Sequence, residues 1–148
     1  FDRRAVVVAS ESADAAKHLS TRDRFRYFTH QVVDDPSVVF LFPGGGAQYV
    51  GMGKELYETE PTYRRIMDEG FAFLEERIEY DLKELLFGES DREAAAETFM
   101  NVLAQLPAIW LSTYAMAKLL EERGVTADAM VGHSMGEYAA ACLAGVFS

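Results

Sequence analysis

The chain has 148 residues, 49% apolar and 26% charged, which fits a soluble globular protein and excludes a disordered tail, a collagen-like repeat or a coiled coil. Its 14 basic and 24 acidic residues give a net charge of -10, which disfavours binding to a nucleic-acid backbone. No apolar run nears the roughly 20 residues of a bilayer span. The single cysteine, Cys142, excludes an internal disulfide framework, no Cys/His cluster has zinc spacing, and the cytoplasm is the default compartment.

The β-branched run Ala5 to Ala9 predicts a buried strand, and Ser10 to Leu19 a helix with Ser10 as a candidate cap. Thr21 to Gln31 mixes Arg22, Arg24 and Arg26 with Phe25, Tyr27 and Phe28, and reads as a solvated or docking segment. His18 and His30 are expected at a surface or interface. A turn at Asp34, Asp35 and Pro36 marks a boundary between residues 1–36 and 37–148.

Val38 to Phe42 predicts a second buried strand, ended by Pro43 and the loop Gly44-Gly45-Gly46. Tyr49 to Phe87 is mainly helical, with Pro61 placed for a first turn, and Ser90 with Glu93 fits a capping box. Leu106, Ile109, Trp110, Thr113, Ala117 and Leu120 follow helical spacing up to the stop at Gly124. Ala129 to Val131 predicts a third short strand, and Ser134 onward an alanine-rich helix. Strands alternating with helices predict an α/β layered core with a short, mostly parallel sheet flanked by helices.

The sharpest chemical signal is Gly132-His133-Ser134-Met135-Gly136, a G-x-S-x-G between a predicted strand and a predicted helix. A serine nucleophile needs a tight strand-to-helix turn, and the flanking glycines let the backbone pass closely. The helix N-terminus favours a developing oxyanion, and the amide of Met135 is the natural donor. Chance alone gives this pattern roughly 0.05 times in such a chain. Ser134 with Glu137 also fits S-x-x-E, so a bare helix cap is the competing reading. His133, next to Ser134 on the turn, points elsewhere and suits positioning better than proton abstraction, so no histidine of the chain is a good base.

Phe42-Pro43-Gly44-Gly45-Gly46-Ala47-Gln48 lacks the Gly-Lys-Ser/Thr of a P-loop. Beside a serine elbow, such a loop can offer the second amide of an oxyanion hole.

FPGGGAQYVGMGKELY, QLPAIW and GVTADAMVGHSMGEYAAACLAGVFS together resemble the malonyl-CoA:acyl-carrier-protein transacylase family, and more narrowly the acyltransferase domain of a modular polyketide synthase. The resemblance covers about Ser37 to Ser148. Residues 1 to 36, with RRAVVVAS and RDRFRYFTH, resemble the end of the α/β linker that joins ketosynthase to acyltransferase.

The resemblance implies a hydrolase-like core in which Ser134 carries the acyl ester and the amides of Gly45 and Met135 hold the oxyanion. Gln48 braces the loop, while Gly44, Gly46, Gly132, Gly136, His133 and Gln105 support the site. Two departures stand out: Gly45 replaces a usual glutamine, and Gln105-Leu106-Pro107 replaces a common Gln-Pro. The implied substrates are malonyl-CoA or a related acyl-CoA and the phosphopantetheine thiol of an acyl carrier protein, with Arg22 to Arg26 as a candidate docking patch. Metal and redox cofactors are not implied, and neither are nucleic-acid or membrane partners. The chain begins at Phe1 without an initiator Met, and the family's catalytic histidine, its arginine and a ferredoxin-like subdomain are expected beyond Ser148. The chain is thus expected to be the first half of a larger domain, a poor catalyst by itself. The rival readings are an α/β-hydrolase thioesterase or esterase, and a non-catalytic interdomain segment.

Overall fold

The computed structural model describes residues 2–88 and 91–148, divided into two compact units, Phe1–Pro36 and Ser37–Ser148. In the first unit, β1 (Arg3–Val7) pairs antiparallel with β2 (Tyr27–Gln31), with Val6 opposite Phe28, and α1 (Ser12–Thr21) connects them. Three expectations change here. The valine run does form a strand, but a two-stranded sheet covers it poorly, and Val6 and Val8 stay exposed. The segment read as solvated is indeed exposed, and it contains β2, whose backbone pairs with β1. Ser10 does not cap α1, whose N-cap is Glu11 without a side-chain bond. His18 is also buried rather than superficial, its Nε2 2.8 Å from the Asp14 carboxylate and its Nδ1 3.7 Å from that of Asp23.

The second unit contains β3 (Val39–Phe42), α2 (Lys54–Thr59), α3 (Pro61–Glu75), α4 (Leu82–Phe87), α5 (Arg92–Thr98), α6 (Val102–Glu122), β4 (Ala129–Gly132) and α7 (Met135–Leu143). Pro61 occupies the first turn of α3, where its missing N–H costs nothing. Ser90 of the expected capping box lies outside the described residues. Asp91 caps α5, accepting from the Glu93 amide at 2.9 Å. Gly124 (φ 81°) ends α6 in a Schellman turn, with Val125 N–H donating to Leu120 O at 2.9 Å, and Gly145 (φ 77°) ends α7 the same way.

α6 is the hub. Its Ala104, Ala108, Ile109, Leu111 and Ala115 join Tyr63, Met67, Leu86 and Phe99 in the main core. Its Ala117 joins Phe42 and Ala139 in a smaller one that seats α7 and β3. Gly70 permits the close α3–α6 approach, since a β-carbon there would strike Leu111. β3 and β4 pair in parallel, Val39 opposite Ala129 through Phe42 opposite Gly132, and the Asp128 carboxylate accepts from Val38 N–H at 2.7 Å to start the ladder. The first of these strands was expected to be buried. Helices cover one side only, leaving Val39, Leu41 and Val131 exposed. The fold is α/β, with one short parallel sheet in the second unit and one antiparallel sheet in the first.

Candidate active site

The site forms where β3 and β4 end side by side, the place where parallel sheets gather their ligand loops. His133 N–H donates to Phe42 O at 3.0 Å, extending the ladder one residue beyond Gly132. The chain then turns at Ser134, whose φ of 52° and ψ of -117° lie where residues with a β-carbon are strained. α7 starts at the next residue. Ser134 occupies the N-cap position but its side chain makes no cap bond, and the residue is exposed. The cap reading therefore fails, because a capping serine has extended backbone and accepts from the first turn.

Glycines make this turn possible. A β-carbon at Gly132 would strike the Glu137 amide, and one at Gly136 would strike the Phe42 carbonyl. α7 is thereby seated directly on the end of β3. The Pro43–Gly46 loop lies against the turn: a β-carbon on Gly44 would come within 2.7 Å of His133 Nδ1 and 3.0 Å of Ser134 Cβ. Gly46 holds a φ of 100°, and its N–H donates to Gln48 Oε1 at 2.9 Å. Gln48 Nε2 in turn donates to the carbonyl of buried Phe99 at 3.3 Å. Gln105 Nε2 reaches the same carbonyl, also at 3.3 Å. Its Oε1 faces Gly45, 2.6 Å from where a β-carbon would stand.

Of the sequence-predicted site residues, Ser134, Met135, Gly132, Gly136 and His133 thus share one turn, and Gly44 touches it. Gly45, Gly46, Gln48 and Gln105 form the adjoining loop and its brace. The Met135 amide opens α7, where N–H groups have no intrahelical acceptor. Sequence reasoning missed Phe99, whose contribution is a main-chain carbonyl and carries no side-chain signal. A cavity of about 450 Å³ lined by Asp68, Glu75, Tyr80 and Lys83 lies elsewhere, where α3 leads into α4. Among the described residues no group of His, Cys, Asp and Glu is placed to hold a metal, and no helix is long and apolar enough to cross a membrane.

Fold and turn together define an α/β protein with a serine elbow beside a glycine loop. The chain belongs to the acyl transferase domain family, which matches residues 39–148. It is 44% identical over 110 residues to a component of the phenolphthiocerol/phthiocerol polyketide synthase of Mycobacterium tuberculosis (strain CDC 1551 / Oshkosh), covering 74% of this chain and 7% of that protein. It is 42% identical over 111 residues to the malonyl CoA-acyl carrier protein transacylase of Bacillus subtilis (strain 168), covering 75% of this chain and 32% of that one. The acyl transferase domain of ZmaA superposes with a TM-score of 0.89 at 39% identity, covering all of this chain and 34% of that domain. The chain therefore spans about a third or less of each of these relatives.

Proposed function

We propose that this chain supplies the nucleophile and oxyanion hole of an acyltransferase that moves a malonyl unit from coenzyme A to an acyl carrier protein in polyketide synthesis. The observation that carries the reading is the strained, uncapped Ser134 with a glycine loop of the neighbouring strand against it. Ser134 Oγ attacks the thioester carbonyl while a base takes its proton. The amides of Gly45 and Met135 stabilise the tetrahedral oxyanion, and the carbon–sulfur bond breaks to release the coenzyme A thiol. The carrier's phosphopantetheine thiol then attacks the ester, the new carbon–sulfur bond forms, and the proton returns to Oγ. Both steps balance without a metal or redox cofactor.

The general base and the residue that binds the malonyl carboxylate belong, on this reading, to the part of the family's domain that this chain does not span. His133 is assigned to positioning the turn against the loop, because its Nδ1 lies beside Gly44. Residues 1–36 are assigned to the linker between ketosynthase and acyltransferase. The match to the ZmaA domain runs through them, while that to the Bacillus subtilis transacylase covers only 75% of the chain.

The test is intact mass after incubating the full-length protein with malonyl-CoA. A malonyl adduct is expected, and Ser134→Ala abolishes it. Rapid release of free malonate without carrier protein points to a hydrolase, and no adduct at all points to a scaffold; either outcome overturns the reading.

A further inference from the structure

Gly45 differs from its neighbours in the loop. Gly46 needs glycine for its φ of 100°, and Gly44 needs it because main-chain and side-chain atoms of His133 crowd the β-carbon position. Gly45 has no left-handed φ, and its backbone accepts any residue. A side chain there would meet one close obstacle, the Oε1 of Gln105 at 2.6 Å; the next atoms are Gln105 Cδ at 3.6 Å and Leu106 Cδ2 at 3.8 Å. The space that a side chain at 45 would fill is therefore occupied by a carboxamide delivered from α6.

That carboxamide is itself held. Gln105 Nε2 donates to Phe99 O, the carbonyl that also receives Gln48 Nε2, and Gln48 Oε1 receives the Gly46 N–H. Phe99 is 2% exposed and cannot move without disturbing the main core. One rigid carbonyl thus holds both side chains that meet the loop: Gln48, which accepts from Gly46, and Gln105, whose Oε1 stands beside Gly45.

From this we infer that Gln105 is a positioning residue that fixes the Gly45 amide, and that Gly45 is glycine to admit it. The inference rests on the reading of Gly45 as an oxyanion donor and adds that residues 45 and 105 act as one unit. A methyl at 45 must displace the Gln105 Oε1, so Gly45→Ala acts on the loop through the carboxamide that Phe99 holds. Once residue 105 is short, the methyl has room.

The experiment measures malonyl transfer by the full-length protein carrying Gly45→Ala, Gln105→Ala or both, with melting temperature recorded for each. Each single change is expected to lower kcat about tenfold, the size of effect that a displaced positioning group produces, with KM and melting temperature near the parent values. The double variant should lose no more than either single one, since both remove the same contact. Losses that multiply, or that track melting temperature, overturn the coupling. Ser134→Ala run alongside separates the two levels: if that variant still forms the adduct, the underlying reading of the site has failed instead.

Discussion

At the scale of single residues, the elbow separates strain from chemistry. Ser134 sits at φ 52°, a conformation that costs a residue with a β-carbon about 1–3 kcal/mol. Glycine carries little of that cost, and alanine carries all of it. Ser134→Gly should therefore raise unfolding stability by about 1 kcal/mol, while Ser134→Ala leaves it nearly unchanged and both lose the acyl adduct. Urea denaturation of the three proteins decides the matter; equal stability of the glycine and alanine variants would remove strain from the account. Gly132 and Gly136 mark the opposite case, glycines retained for space, because the chain on the facing side is backbone that does not yield. The G-x-S-x-G pattern made this constellation legible, since each of its glycines answers to a close approach that the turn imposes. The brace was only partly legible. Gln48 was legible within the loop and Gln105 only through the family resemblance, and their meeting point, the Phe99 carbonyl, depends on how α5 hands over to α6.

Among the elements, α2, α3 and α4 are tied by one polar cluster. The Tyr57 hydroxyl donates to Asp68 Oδ1 at 2.6 Å, and Lys83 Nζ reaches the same oxygen at 3.1 Å. Partial burial pushes the Asp68 carboxyl up, but the bonds from Tyr57 and Lys83, with the charges of Lys83 and Arg64, outweigh it and hold the group below its ordinary value. A carboxylate held low in the fold stabilises above its unfolded pKa, and that stabilisation fades as pH falls through the folded value. Bonds to Tyr57 and Asp68 raise Lys83, whose contribution is present at neutral pH and is lost above the ordinary lysine range. Asp68→Asn is expected to cost under about 1 kcal/mol at pH 7, because both partners are about half exposed and water screens them. The difference should shrink as pH falls below the ordinary aspartate range; a gap that persists in acid would mean that packing, not charge, holds these helices. Sequence signals identified the helices well, among them Pro61 at the start of α3, the helical spacing of α6 and its stop at Gly124. The strands were harder. A run of valines signals extended chain, but how deeply it is buried depends on the layers that cover it, and the exposed Val6, Leu41 and Val131 show that no such count is written in the run itself.

Across the whole molecule, the two strands that carry the site stand far apart in sequence. Val38 is bonded to Asp128, 90 residues away, and α2 to α6 fill the interval. Helices form from neighbours along the chain, whereas a pairing of this span must wait until the intervening chain has been drawn together. The elbow and the glycine loop are therefore expected to meet only after the helical core has condensed. On dilution from urea, circular dichroism at 222 nm should recover before the full-length protein regains the ability to form its acyl adduct. A single shared rate for both signals would show that the distant crossing is made at the outset. With that delay, a freshly made chain passes through an interval in which it is already ordered yet chemically silent.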